Sequence, residues 1–368
     1  MFHRLRTDPA TDQLILQNGH SSFPIGEYEY PGIQTNPGSD IAVAIIFNGV
    51  QRELTAYAAP VADVLDGTPA WRKVCDRADN IASLAVRGDD LYLLANTSAV
   101  RGKVLKTSAR APGLTRAGTV MPMGALVIEA LSGACDGIYV TTMDGGIQRL
   151  KRIAPDGSVA DVRLPYDGSI VYAYSDTASD GILVSLTGWV QPSGIWAVDA
   201  RTLTATDTGI TPKPPIDLTP YIATRLFATA KDGVKIPVSI VARRDPQRDP
   251  KRPAIVESYG AYQYGTSPAF RARNLAFLDA GGICVVAGVR GGGEYGREWH
   301  DGGKGPTKPN TWRDLIAACE ALTDAGWTRP ASLAMAIIYL TKQSSETSTG
   351  AWTSPRPASP TPTPLASI

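Results

Sequence analysis

Over the first 215 residues the apolar positions fall in short runs, each opened by an acidic or glycine turn, and no helical stripe emerges. Leu91 to Asn96 follows Gly88-Asp89-Asp90 and is answered by Lys103 to Thr107. Ile138 to Thr142 follows Asp136-Gly137 and runs through Asp144-Gly145-Gly146 into Ile147 to Ile153. Ile182 to Leu186 pairs in the same way with Ile195 to Val198, and Ile41 to Phe47 with Glu53 to Ala58. Runs of this length between Gly and Asp turns predict β-hairpins. The four hairpins begin at Ile41, Leu91, Ile138 and Ile182, so the unit recurs at 50, 47 and 44 residues. A loose all-β repeat near 45 residues predicts propeller blades, consecutive and antiparallel over residues 28–205. Because no signature dipeptide marks each unit, an all-β sandwich with evenly spaced hairpins stays open as the alternative.

The pattern changes at Thr211 to Pro220, where four prolines in ten residues predict a stiff, extended connection. Beyond it, Lys231-Asp232-Gly233 is a turn between a strand and a return strand that starts near Ile236. Ala254 to Glu257 and Ile283 to Val286 are short apolar runs bounded by Pro or Gly, as buried parallel strands are. Thr311 to Ala325 reads as a helix with Trp312, Leu315, Ile316, Cys319 and Leu322 on one stripe. Strands alternating with helices predict an α/β domain. From Gln343 to Ile368 the chain is rich in Ser, Thr and Pro, with too little apolar content to pack, and is expected to be disordered.

Composition narrows the classes. Lys and Arg number 36 against 35 Asp and Glu, a balance that argues against nucleic acid or an anionic membrane as the main partner. No apolar run reaches membrane-spanning length, and Met1-Phe2-His3-Arg4 lacks the apolar core of a signal peptide. The expected compartment is therefore the cytoplasm, with the periplasm or secretion as the alternative if a leader preceded this segment. Cys75, Cys135, Cys284 and Cys319 are scattered without metal-ligand spacing and read as small buried apolar residues. No metal and no cofactor is expected.

Two motifs carry chemistry. Val289-Arg290-Gly291-Gly292-Gly293-Glu294-Tyr295-Gly296 satisfies G-x-G-x-x-G after an apolar run. A dinucleotide loop needs a helix N-terminus directly behind the glycines, and Asp301 to Pro306 is too rich in Gly and Pro to supply one. A glycine-dense loop that lets backbones approach closely is the simpler reading. The second motif is Glu257-Ser258-Tyr259-Gly260-Ala261-Tyr262, where a Tyr at a strand end can donate its hydroxyl to a developing oxyanion.

In order along the chain stand Tyr259-Gly260-Ala261-Tyr262, Arg290 to Gly296, Trp299-His300, Asn310 with Asp314, and Gly326-Trp327-Thr328-Arg329-Pro330. This ordered set resembles the opening of the peptidase domain of the prolyl oligopeptidases, and Lys231-Asp232-Gly233 with Ile236-Pro237 fits the same pattern. The resemblance implies a mixed fold, a seven-bladed β-propeller capping an α/β-hydrolase domain. Here the expected division is a partial propeller of about four blades over residues 1–215, the first part of the hydrolase domain over 216–342, and the tail over 343–368. It also implies a serine peptidase with a Ser-Asp-His triad that hydrolyses short peptides, typically after proline. By the same resemblance Tyr259 stabilises the oxyanion, Tyr262 stands at an aromatic wall of the proline pocket, and Arg290, Glu294 and His300 shape the loop.

After Ser332-Leu333-Ala334-Met335 the family pattern calls for a strand and then Gly-Gly-Ser-x-Gly-Gly, the tight elbow that exposes the nucleophile. The sequence reads Ala336-Ile337-Ile338-Tyr339-Leu340-Thr341 instead, and no G-x-S-x-G follows Ala334. The 368 residues are therefore expected to be inactive by themselves. A non-enzymatic propeller binding module or a pseudo-peptidase is the competing class.

Overall fold

The computed structural model describes residues 2–19, 21–244 and 249–337. The expected disorder of 343–368 and the apolar run from Ile338 to Thr341 lie outside them, as does His20.

Sixteen strands form four antiparallel four-stranded sheets in simple meander order. Blade 1 is β1 (Glu29–Thr35), β2 (Ile41–Asn48), β3 (Thr55–Pro60) and β4 (Arg72–Cys75), with helix α1 (Val61–Leu65) between the last two. Blade 2 is β5 (Ile81–Arg87), β6 (Asp90–Ala95), β7 (Lys103–Ser108) and β8 (Gly118–Met121). Blade 3 is β9 (Val127–Ala134), β10 (Gly137–Asp144), β11 (Ile147–Ile153) and β12 (Val159–Val162). Blade 4 is β13 (Ser169–Tyr174), β14 (Ile182–Thr187), β15 (Gly194–Asp199) and β16 (Thr204–Asp207). Each hairpin expected from sequence is the middle pair of one blade, with registers such as Ile138 opposite Ile153 and Ile182 opposite Val198. The meander within separate sheets is a propeller arrangement and excludes the sandwich.

The blades share their cores. Ile41, Val43 and Ala56 of blade 1 pack with Leu84, Val86, Leu91 and Leu93 of blade 2. Ala85, Tyr92 and Val104 of blade 2 pack with Ile138 and Val140 of blade 3. Tyr139, Leu150 and Val162 of blade 3 pack with Ile170, Val184 and Leu186 of blade 4. Alternation along each strand makes this possible, since successive side chains serve opposite neighbours. The other face of blade 1 is covered by the segment before β1. Phe23 stacks on Tyr57 at 3.8 Å and meets Trp71 edge-on, and Ile15 and Leu16 pack nearby.

No strand or helix lies between Asp207 and Tyr221. Next comes one five-stranded sheet of order β17-β18-β20-β19-β21, formed by β17 (Tyr221–Thr229), β18 (Lys235–Arg243), β19 (Ala254–Ser258), β20 (Ile283–Ala287) and β21 (Leu333–Ile337). The first two form a hairpin and β18 runs antiparallel to β20, while β20, β19 and β21 are mutually parallel. Helices α2 (Asn274–Asp279), α3 (Arg297–Asp301) and α4 (Pro309–Asp324) fill the crossovers. Val238, Ile240, Val256, Ile283 and Val285 of the sheet pack on Leu315, Ala318 and Leu322 of α4 and on Trp299 of α3.

The buried face of α4 departs from the expected stripe. Thr311, Asp314, Leu315, Ala318 and Leu322 are buried, whereas Trp312 and Ile316 are exposed at 36% and 43%. The helix is turned by its polar residues. Thr311 Oγ1 donates to the Arg290 carbonyl at 2.8 Å and Asp314 binds the Arg290 side chain, so the face carrying those two residues must point inward. Among the cysteines, Cys75 is buried, and burial pushes its thiol up to about 12, but Cys135 is exposed and Cys284 and Cys319 are half-buried, so three of the four depart from the expected burial.

Candidate active site

Two loops meet at the carboxyl ends of the parallel strands, the usual position for a ligand crevice in an α/β sheet. One leaves β19 as Tyr259-Gly260-Ala261-Tyr262-Gln263; the other leaves β20 as Gly288 to Gly296. In the first, Gly260, Tyr262 and Gln263 all hold positive φ, at 65°, 53° and 59°. Two adjacent non-glycine residues in the left-handed region store strain, and such strain persists only where the surroundings enforce it. The result is that Tyr262 presents its ring to solvent at 44% exposure, while Tyr259 lies half-buried with its ring 6.5 Å from that of Tyr264.

Three contacts enforce the turn. Lys308 Nζ donates to the Gly260 carbonyl at 2.5 Å, and burial pushes this lysine below its usual range. The Gln263 N–H points at Gly291 O (3.3 Å) and at His300 Nδ1 (3.0 Å). His300 Nδ1 also faces Gly291 O at 2.8 Å, so one tautomer donates to that carbonyl and the other accepts from Gln263. Below the turn lies the glycine loop. A Cβ on Gly291 would stand 2.1 Å from Gly260 O, and one on Gly293 2.2 Å from Gln263 O.

Arg290 anchors the loop from beneath. Its Nε and Nη2 form a bidentate pair with Asp314 at 2.9 and 2.6 Å, its backbone N–H donates to the same carboxylate at 3.0 Å, and Nη1 reaches Asp232 at 2.6 Å. Asp314 is wholly buried. Glu294 is also wholly buried, with Oε1 accepting the Thr266 N–H at 2.8 Å. Burial raises its carboxyl to about 7.

The propeller blades dock on the same loop. Gly145, at the tip of the β10–β11 hairpin, donates its N–H to Glu294 O at 3.1 Å, and Arg225 Nη2 donates to Gly145 O at 2.9 Å. Arg297 N–H donates to Val100 O at 2.9 Å and its Nη1 to Asn80 at 2.8 Å. A short helix, α3, does begin directly behind Gly296, contrary to the sequence expectation. It makes no phosphate site, because the space above the glycines is filled by backbone: Gly260 O above Gly291, Gln263 O above Gly293 and Val100 O above Gly296. A cavity of about 510 Å³ lined by Tyr166, Trp196, Pro212 and Tyr221 lies against blade 4 and shares no residue with this site.

Residues 1–207 match the family model described as the prolyl oligopeptidase N-terminal β-propeller domain, and residues 268–336 match that of the prolyl oligopeptidase family. The chain belongs to the prolyl oligopeptidase family. A prolyl endopeptidase of Elizabethkingia meningoseptica is 29% identical to it over 340 residues, 91% of this chain and 46% of that one. Dipeptidyl aminopeptidase BI of Pseudoxanthomonas mexicana is 31% identical over 205 residues, 55% of this chain and 27% of that one. The fold is also that of prolyl oligopeptidase B from Galerina marginata, solved with a 25mer macrocyclization substrate. There the TM-score is 0.78 at 22% identity, over 90% of this chain and 46% of that chain. This prolyl oligopeptidase family member thus spans about half, or less, of the length of the relatives it matches. Among its described residues no helix is long and apolar enough to cross a membrane.

Sequence reasoning missed Lys308, Thr266 and Gly145. Gly145 reads only as a hairpin turn and nothing in the local sequence distinguishes the other two; each reaches this loop cluster through a contact distant in sequence.

Proposed function

We propose that this chain supplies the oxyanion and proline-recognition side of a serine peptidase that hydrolyses short peptides after proline, with residues 1–215 as propeller and 216–342 as part of the peptidase domain. The observation that carries the reading is the strained Tyr259–Gln263 turn at the carboxyl end of β19, held from three sides. Tyr259 would donate its phenol to the oxyanion of an attacked carbonyl, a role that a preorganised donor fills at no reorganisation cost. Tyr262 would offer a ring face to a proline side chain. Arg290 and Glu294 would serve by holding the loop on which the turn rests, without touching the substrate.

The test is nuclear magnetic resonance titration of the 368-residue chain with benzyloxycarbonyl-Gly-Pro. We expect shifts confined to Tyr259–Tyr264, with weak affinity on the order of 1 mM, or about 4 kcal/mol. Tyr262→Ala should weaken it several-fold. Equal binding of benzyloxycarbonyl-Gly-Gly, or shifts elsewhere only, would overturn the reading. Because residues 1–368 hold no G-x-S-x-G, the same chain should release no fluorophore from a Gly-Pro aminomethylcoumarin substrate and take no label from an active-site phosphonate. Turnover that co-purifies with the chain would show that the chemistry is misplaced.

A further inference from the structure

We infer that Glu294 is a positioning residue that couples the blade 3 hairpin tip to the tyrosine turn, and that ionisation of its buried carboxyl loosens this coupling. The inference rests on the peptidase reading for its meaning, since the turn it positions is the one carrying Tyr259 and Tyr262. Four observations carry it. The backbone of Glu294 accepts the Gly145 N–H from the hairpin, while its side chain accepts the Thr266 N–H from the segment that continues the turn. Gly146 closes the same ring, because a Cβ there would stand 2.5 Å from Thr266 O. Glu294 is wholly buried, yet Oε2 has no hydrogen-bond partner. Among the described residues no cation pairs with it: Arg225 spends Nη2 on Gly145 O at 2.9 Å and on Tyr295 Oη at 3.4 Å and Nη1 on Asp144 O at 3.3 Å, with Nε unpartnered.

Burial is the largest influence on this carboxyl and favours the neutral acid; the Thr266 and Glu294 backbone N–H groups and the Thr266 side chain favour the carboxylate and are outweighed. Glu129 of β9 opposes ionisation, with its own carboxylate bound to Gln148 Nε2 at 2.6 Å. Asp144, at the end of β10, lies beside Tyr295, and the Tyr295 hydroxyl is itself raised by burial. Burial, the largest cause, raises Glu294 from 4.5 to about 7. The sign follows from linkage. The closed arrangement holds the proton more tightly than an opened one, so the coupling is fully present below pH 4.5 and is lost as pH rises through about 7. Above that, an opened loop that hydrates the carboxylate is favoured by the whole difference between the two affinities.

Amide hydrogen exchange on the full chain tests this, with protection factors corrected for the intrinsic pH dependence. Between pH 5 and pH 8 the protection of the Thr266 and Gln263 amides should fall on the order of fifty-fold in the unmodified chain. In Glu294→Gln, which keeps the accepting oxygen and cannot ionise, it should stay high and flat. Glu294→Ala should give low protection at both pH values. If that variant does not fold, the first two still decide the matter. An unmodified chain with flat protection, or a Gln variant that loses protection in parallel, would overturn the inference. So would a loss shared equally by Val184 and Leu186 of blade 4, because the carboxyl would then serve global stability alone. The readout needs no turnover or ligand, so failure of the peptidase reading shows separately, in the titration.

Discussion

Arg290→Met should lower the unfolding free energy by about 3–5 kcal/mol, the usual cost of removing one partner from a buried ion pair. Asp314 is wholly buried and takes three hydrogen bonds from Arg290, two from the guanidinium and one from the backbone N–H. Methionine fills similar volume but leaves only the backbone donor, so a carboxylate stays in the core almost unpaired. Asp232, which Arg290 holds well below the usual carboxylate range, loses its partner too, but it lies exposed and rehydrates at little cost. The double variant Arg290→Met with Asp314→Leu should recover most of the loss, because replacing both partners by apolar groups removes the stranded charge. Denaturant midpoints at constant slope measure the effect. A single variant within 1 kcal/mol of the parent, or a double variant no better than the single, would show that the pair is not what seats α4.

The second large effect is expected at Gly291. Its φ of 99° already excludes an ordinary side chain, and a Cβ would stand 2.1 Å from Gly260 O. Gly291→Ala should therefore cost about 3 kcal/mol, combining backbone strain with displacement of the neighbouring strand end. Two other glycines separate those contributions. Gly88 has φ of 55° with nothing near the added methyl, so Gly88→Ala reports strain alone, about 1 kcal/mol. Gly118, in β8, has neither positive φ nor a neighbour, and its alanine should lie within about 0.5 kcal/mol of the parent. Thermal or chemical denaturation of the three variants should rank them in that order. Equal losses at positions 88 and 291 would mean that the close approach between the two loops is relaxed in solution.

Much of this architecture is legible in the sequence, and the gaps have physical causes. The middle hairpin of every blade is visible because its first strand is a short apolar run entered through a turn that carries Asp, beside Gly in three of the four. The fourth strands are not: Arg72–Cys75, Gly118–Met121, Val159–Val162 and Thr204–Asp207 are four residues each and end their sheets, where polar side chains are tolerated and no apolar period develops. In β1, Pro31 and Gly32 hide the strand from any propensity argument. Tyr259 and Tyr262 could be singled out from their place after an apolar run, but the left-handed backbone of Tyr262 could not, since nothing about a tyrosine predicts it. The glycine loop shows the limit most clearly. Its spacing fits a phosphate-binding turn, and a helix even follows, yet what decides the matter is which atoms a Cβ would strike, and those belong to residues far away in sequence.

The shared cores of the blades carry a consequence for how damage spreads. Each of the three layers between blades belongs to two neighbouring sheets, so neither sheet alone owns it. Apolar contacts in such a stack pass between nearest neighbours, as in a row of coupled elements, while one polar contact closes across it, Thr177 of the β13–β14 loop donating its hydroxyl to Pro37 O in the β1–β2 loop. A void opened at Leu91 loosens blades 1 and 2 together, and blade 4 feels it both through blade 3 and through the Thr177–Pro37 contact to blade 1. Blades 2 and 3 each lie between two other blades, and they are also the two whose loops at Val100 and Gly145 touch the glycine loop. The part of the propeller that meets the glycine loop is thus the part whose two apolar layers are both shared with another blade.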